Sequence, residues 1–546
     1  MLVDELKKIV KGEVLSDEEV RVKYSRDASL FEINPEAVVF PRDVNDLKKI
    51  VEFVSHKKSS NQEISLTARA GGTDMTGGPL NSSIILDFKK YFNRIKSVGN
   101  GYAVTEPGVF YRDFEIATLK RNSLLPSFPA SRETCTVGGM VANNSGGEKT
   151  LAYGKTEDYI LELKAVLSDG KEYIFKPLDK KELKKIMVKK DFEGGIYRKL
   201  YKLIEKNQEL LKKSKPQVSK NSAGYYLWNV WDGKHFNLTK LLVGSQGTLG
   251  LITEIKFRLI TPKKYSGMAV IFLDDLDKIA MLAKKVLEFN PESFESFDDN
   301  TFKLAIRFLP SLIRAAGWQT RNFIKLFWQF LPEVWMVLSG GIPKLALLAE
   351  FTSDDEKELE NRLENLQNVL VETKIKFRII RSEMEMKKYW TIRRESFNLL
   401  RKHIKGKRTA PFIDDFIIKV EQLPEFLPKL NHILAKYNLN YTIAGHVGDA
   451  NFHIIPLMDL RDIRSSEIIR NLSEEVYNLV LSYRGSITAE HNDGLIRSSY
   501  LKKMYGEKVY KLFEETKKIF DPQNIFNPGK KVNSDLNYAF KHLVKS

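Results

Sequence analysis

Apolar and polar positions along this chain predict mixed strands and helices from the N-terminus onward. MLVDELKKIVKGE reads as a short amphipathic helix, with Asp4, Glu5, Lys7 and Lys8 interrupting any apolar run. The run Ala37, Val38, Val39, Phe40 has strand length. Pro41 breaks it, and Asp43 or Asn45 caps a helix reaching Val54. ISLTARA and SSIILDF are strands on either side of the glycine-rich AGGTDMTGGPL. YAVTEPGV and LELKAVLSDGKEY are further strands closed by turn residues. Residues 1–265 therefore read as one α+β domain.

From residue 266 the rhythm changes. GMAVIFL is a strand, LDKIAMLAKKVLEF a helix and SFESF a strand. KLALLAEF, a charged helix and KIKFRII repeat that order. In the second helix Leu359, Leu363, Leu366 and Leu370 make one apolar stripe. Two strand–helix–strand units in series predict a ferredoxin-like α/β sheet over 266–484, with helices on one face. Residues 485–546 read as a segment of loops and helices.

Composition narrows the class. The chain has 546 residues, 87 basic against 70 acidic side chains for a net charge of +17, and 42 % hydrophobic residues. That is too apolar for disorder, and no window offers the roughly 20 apolar residues of a spanning helix. The N-terminus lacks the apolar core of a signal peptide, so the expected location is cytoplasmic, with a peripheral place on the inner face of the cell membrane left open. A single cysteine, Cys135, excludes a disulfide framework, a cysteine-ligated zinc and an iron–sulfur cluster on this chain. One stretch gathers positive charge with aromatics: residues 305–336 hold Trp318, Trp328 and Trp335 among Arg307, Arg314, Arg321 and Lys325. It is either an insertion packed on its own domain or a membrane or partner contact. No nucleic-acid motif accompanies it.

Three glycine clusters carry candidate chemistry. ARAGGTDMTGGPL has Gly71, Gly72, Gly77 and Gly78; PASRETCTVGGMVANNSGGEKTLAYG has Gly138, Gly139, Gly146, Gly147 and Gly154; GSQGTLGLI has Gly244, Gly247 and Gly250. Glycine lets backbone approach a ligand, and successive N–H groups bind anionic oxygens. The spacing is neither the dinucleotide fingerprint nor a P-loop. Three such clusters indicate a large, extended cofactor held mainly by backbone.

In order and spacing these clusters resemble the FAD-binding domain of the vanillyl-alcohol-oxidase superfamily, in its glycolate-oxidase-subunit and D-lactate dehydrogenase branch. The resemblance covers nearly the whole chain. It implies a two-subdomain FAD-binding domain with a cap domain, and it places the pyrophosphate on Arg69, Ala70, Gly71, Gly72, Thr73, Asp74 and Gly77. Pro129, Ala130, Ser131, Thr136, Gly138, Gly139, Asn143, Gly146, Gly147, Tyr153 and Gly154 would line the isoalloxazine and the remaining pyrophosphate. Gly247, Gly250 and Ile252 would close over the adenine. Asn527, in the closing motif FDPQNIFNPGK, would approach the flavin. Some relatives attach FAD through a histidine; Gly72-Thr73-Asp74 has none, which implies non-covalent FAD.

Two further motifs combine imidazole and carboxylate: GHVGDANFHIIP, with His446, Asp449, Asn451 and His453, and AEHNDG, with Glu490, His491 and Asp493. Such sets suit zinc or manganese, and equally suit histidines hydrogen-bonded in turns. Both motifs look like those of FAD-linked D-2-hydroxyacid dehydrogenases. That resemblance implies a divalent metal on His446, His453 and Glu490, His491 as the base for the substrate hydroxyl, and Arg393 of WTIRRE as the carboxylate anchor. Some relatives carry a second cation, a lysine, where this chain has Ile413; Lys407 or Arg408 could stand in. The reading is an FAD-dependent, metal-assisted oxidation of a lactate- or 2-hydroxyglutarate-like D-2-hydroxy acid. A quinone, an electron-transfer flavoprotein or a separate iron–sulfur subunit would take the electrons. The alternatives are a sugar or alditol oxidase of the same superfamily, and a membrane- or partner-bound electron-transfer subunit.

Overall fold

The computed structural model describes residues 2–299, 303, 342–403 and 406–545; the aromatic segment 305–336 lies outside the described residues. Among the described residues three sheets form. The first runs in spatial order Glu13–Leu15, Ala37–Phe40, Ile84–Asp87, Leu66–Arg69, the last three parallel. Ala37–Phe40 is buried at every position, which accounts for its unbroken apolar run. Helix Val44–Ser59 follows it, and the Asp43 carboxylate caps that helix by accepting the Asp46 N–H at 3.0 Å.

The second sheet is antiparallel, in order Ile95–Gly99, Tyr102–Thr105, Leu251–Arg258, Ile160–Val166, Glu172–Phe175. Its core takes in Leu200 and Leu203 of helix Phe192–Lys206 and Leu501, Phe513 and Phe520 of helix Leu501–Phe520. The C-terminal segment thus returns to the N-terminal region. It also lies along the first sheet, where the Leu66 N–H donates to Ile525 O and the Asn527 N–H to Leu66 O, each at 2.7 Å.

The third sheet contains the two strand–helix–strand units. Its strands lie in the order Lys376–Ile380, Tyr265–Leu273, Leu345–Ser353, Ser293–Asp298, which is fourth–first–third–second, the ferredoxin-like arrangement. Helices Ile279–Leu287 and Glu356–Glu372 pack on one face, and the leucine stripe of the latter is buried there. Helix Glu383–His403 covers the opposite face with Met386, Tyr389 and Trp390 against Met268, Val270 and Phe272. Beyond Ser293–Asp298 the sheet continues into the hairpin Asn440–His446 and Asn451–Met458, which carries two of the motif histidines. Among the described residues no helix is long and apolar enough to cross a membrane.

Candidate active site

A cavity of about 1130 Å³ is lined at once by the three glycine clusters and by the histidine hairpin. At the glycine end, strand Leu66–Arg69 runs into a loop organised by Asp74. Its carboxylate accepts the N–H groups of Thr76 (2.6 Å) and Gly78 (3.1 Å) and the Asn143 side-chain amide (2.9 Å). Asn143 ends helix Val137–Asn143, so Asp74 links the first two clusters. A Cβ on Gly138 would sit 2.6 Å from Pro107 O, so only glycine lets that helix pack so closely. Gln246 of the third cluster donates to Thr76 Oγ1 at 3.3 Å and accepts the Gly494 N–H at 2.8 Å.

Of the expected cofactor residues, all but four line this cavity. Gly77 packs against Phe31 and Leu495. The Tyr153 hydroxyl donates to Glu292 at 3.3 Å, and Gly154 abuts Asp158. Asn527 lies behind the loops, donating to Gly78 O (2.9 Å) and Gln246 O (2.7 Å) and accepting the Thr67 hydroxyl (2.8 Å). It clamps the first cluster to the third.

At the other end the hairpin register sets the geometry. His453 lies opposite Ala444, two residues from His446, so both imidazoles share one face of the sheet. Their ring centroids are 5.2 Å apart. Each is held at Nδ1 by a buried acid: His446 by Glu295 at 2.5 Å and His453 by Asp414 at 2.9 Å. Such partners orient an imidazole and free Nε2 for a ligand. His446 Nε2 is 3.1 Å from Glu490 Oε2. Gly146 lies against that carboxylate: a Cβ there would be 3.0 Å from Glu490 Oε1.

Asp414 uses its second oxygen on His491 Nδ1, at 2.5 Å. Burial works against an imidazolium at His491, but Asp414 and Asp415 outweigh it and raise its pKa to about 9. The same contest at His446, burial against Glu295 and Glu490, also ends near 9. At His453 burial prevails over Asp414 and the pKa is lowered. Glu490, though buried, is held well below the usual carboxylate range by His446 and Lys220.

His453, Glu490, His491 and Asp415 each bring a donor atom within 4.8 Å of the others. Asp415 is committed to the protein: its Oδ2 accepts the Thr488 hydroxyl (2.6 Å) and the N–H groups of Ala489 (2.9 Å), Glu490 (2.8 Å) and His491 (2.7 Å), and its Oδ1 the Asn451 side-chain amide (3.2 Å). Of the expected metal set, His453 and Glu490 belong to this cluster; His446 does not, though its Nε2 stands 3.1 Å from Glu490 Oε2.

Arg393 lines the same cavity, buried, with its guanidinium 3.2 Å from Glu295. Arg394 lines it too but is paired with Glu148 at 2.9 Å. Ile413 is packed among Phe412 and Phe416 instead of facing the cavity, and Lys407 and Arg408 are not part of its wall. Three charged supports have no place in the sequence motifs: Glu295, Asp414 as a double anchor, and Lys220, whose ammonium joins Glu490 (2.6 Å) to Asp449 (2.9 Å). The available signal was an acid inside an apolar run, SFESFD and PFIDDFII; for Lys220 there was none.

The fold and the cavity are those of an FAD-binding domain joined to a C-terminal domain of the FAD-linked oxidase type. Residues 35–175 match the FAD binding domain model and residues 263–531 the model for the C-terminal domain of FAD linked oxidases. The chain belongs to that family, within the vanillyl-alcohol-oxidase superfamily. Its relatives include the D-2-hydroxyglutarate dehydrogenase of Pseudomonas putida, 28 % identical over 95 % of this chain and 50 % of that protein. The D-lactate dehydrogenase of Archaeoglobus fulgidus is 26 % identical over 97 % of this chain and 99 % of its own. The chain spans about half the length of the first curated relatives it matches. Among solved structures, p-cresol methylhydroxylase with substrate bound superposes with a TM-score of 0.68 at 16 % identity, covering 98 % of this chain and 96 % of that one.

Proposed function

We propose that this chain oxidises a D-2-hydroxy acid, lactate-like or 2-hydroxyglutarate-like, to the 2-oxo acid. The observation that carries the reading is the buried Asp414–His491 pair, 2.5 Å apart, on the wall of a cavity that the glycine clusters also line. Bound FAD supplies the hydride acceptor. A zinc or manganese ion on His446, His453 and Glu490 would supply Lewis acidity toward the substrate oxygens.

The protein's own contribution follows from its charges. A hydride leaves a carbinol carbon as the hydroxyl loses its proton, so a base must stand at the oxygen. With Nδ1 bound to Asp414, His491 offers Nε2, and Asp414 stabilises the imidazolium once the proton arrives. Asp414 and Asp415 hold a proton on His491 up to about 9, so the base form is favoured when positive charge stands nearby, as it would at the three metal donors. Arg393 presents a planar fork to the substrate carboxylate. With Ile413 in the apolar core, a distal carboxylate would have to find another cation. Electrons leave to a quinone, an electron-transfer flavoprotein or a separate iron–sulfur subunit, since the buried thiol of Cys135 cannot hold a cluster alone.

The test is anaerobic bleaching of the bound flavin with lactate, 2-hydroxyglutarate, malate, glycolate and longer 2-hydroxy acids, with and without chelator. We expect bleaching by one class, slowed by chelator. His491→Ala should keep its FAD absorbance while bleaching slows by about 100-fold or more. Failure of every acid to bleach a flavin- and metal-loaded preparation refutes the reading.

A further inference from the structure

The net charge of +17 is concentrated far more narrowly than the aromatic segment suggested. Residues 180–215 hold twelve lysines and Arg198 against five acids, 13 − 5 = +8. All thirteen basic side chains are exposed. Ten lie on three helices, Lys180–Met187, Phe192–Lys206 and Gln208–Ser214, and Lys189, Lys190 and Lys215 just beyond their ends, all between the two family-matched regions. Leu183, Ile196, Leu200, Leu203 and Leu211 anchor these helices in the core, leaving the lysines outward.

The turn joining the first two helices has a distinct character. The last turn of the first helix runs into it as KKIMVKK, Ile186, Met187 and Val188 standing between two lysine pairs and the helix ending at Met187. Val188 is 77 % exposed, while Ile186 and Met187 are half-buried behind it. The turn is held in shape. Arg198 donates to the carbonyls of Met187 and of Lys189, and Asp191 caps the second helix by accepting the Gly194 N–H at 2.9 Å. Lys189 pairs with Glu193 at 2.7 Å; Lys184, Lys185 and Lys190 make no ion pair among the described residues. A fixed apolar tip ringed by ammonium groups is therefore presented to solvent.

We infer that this helical hairpin docks on an anionic membrane surface, with the Lys184–Lys190 turn as the point of contact. The chemistry favours lipid over an acidic protein. Protein interfaces enrich arginine and deplete lysine, and this face has one arginine among thirteen cations. Flexible, hydrated ammonium groups suit the diffuse charge of anionic headgroups. A valine of this exposure gains by entering the interface just below them.

The test uses the full-length, FAD-loaded protein and co-sedimentation with vesicles of phosphatidylcholine, alone or mixed with phosphatidylglycerol. The protein should pellet with the mixed vesicles, less so as salt is raised, and remain in solution with phosphatidylcholine alone. The triple variant K184E/K185E/K190E, which spares the Lys189–Glu193 pair, should lose more than about tenfold in partition coefficient. Val188→Ser should weaken binding by less. Both variants should keep wild-type FAD content and flavin bleaching, because none of these residues is part of the cavity wall. Wild-type partition of the triple variant would overturn the inference and put any membrane contact elsewhere, in 305–336 for instance. Indifference of the wild-type protein to both vesicle types would also overturn it. If an acidic redox protein is then retained by the wild type and not by the triple variant, the face serves a protein partner instead.

Discussion

Asp415 offers a measurable test of how the site is built. Its carboxylate is fully buried and collects the Thr488 hydroxyl and three successive backbone N–H groups, those of Ala489, Glu490 and His491. Its backbone is left-handed at φ +71°, a region that asparagine adopts more readily than alanine. Asp415→Asn therefore keeps the backbone and one acceptor oxygen, and removes the charge and the oxygen that accepts the Asn451 side-chain amide at 3.2 Å. Charge-assisted bonds exceed neutral ones by about 1 kcal/mol each, but the variant also escapes the burial of an anion, so its net loss should stay within about 2 kcal/mol. Asp415→Ala leaves buried donors unpaired and adds strain, and removal of one partner from a buried charged network costs about 3–5 kcal/mol. Hydrogen exchange of peptides covering 486–495 reads this locally. Exchange there should quicken by about 150- to 5000-fold in Asp415→Ala and by less than about 30-fold in Asp415→Asn. Equal exchange in the two variants, or wild-type protection in Asp415→Ala, would refute the argument.

Three further outcomes follow from the same structure. Glu295→Gln keeps the shape of the His446 partner but removes its charge; metal content measured after dialysis against zinc should fall about tenfold or more while FAD stays bound, and unchanged metal content would refute the buttress. Gly138→Ala forces a Cβ to 2.6 Å from Pro107 O and should weaken FAD binding by about tenfold or more, followed by flavin fluorescence on titration; unaltered affinity would show that the helix can shift freely. Lys155 is buried, and that burial lowers its pKa to about 8 against the pull of Glu157 and Glu490. Between about 8 and the usual lysine value the unfolded chain binds the extra proton, so stability should rise with pH across that window, and Lys155→Met should flatten the rise in thermal unfolding. An identical slope in both proteins would count against the lysine as its source.

The alternation of apolar residues made the third sheet legible. GMAVIFL, SFESF, KLALLAEF and KIKFRII are all strands, and the leucine stripe faces inward as its spacing requires. The cavity wall was legible where function is carried by short contiguous motifs, in the glycine clusters and in the His446, His453, Glu490 and His491 segments. What stayed hidden depends on meetings between distant segments. Glu295 reaches His446 across 151 positions and Lys220 reaches Glu490 across 270. Lys220 leaves no local signature, and the acid in SFESFD marks a buried carboxylate without naming its partner. Asn527 shows the converse: its motif was visible, but its place behind the loops arises from the return of the C-terminal segment along Leu66.

Glu295 has one carboxylate and two claimants, His446 on one oxygen and Arg393 on the other. Sharing makes the His446 imidazole and the Arg393 guanidinium interdependent. An anion that turns Arg393 toward the cavity leaves Glu295 wholly to His446 and strengthens the imidazole as a donor. A cation that engages His446 draws on the same negative charge and leaves Arg393 more willing to meet an anion. Thermodynamic reciprocity requires the two effects to be equal. Each occupant of the cavity should thus bind more tightly when the other is present, a cooperativity that needs no change of shape.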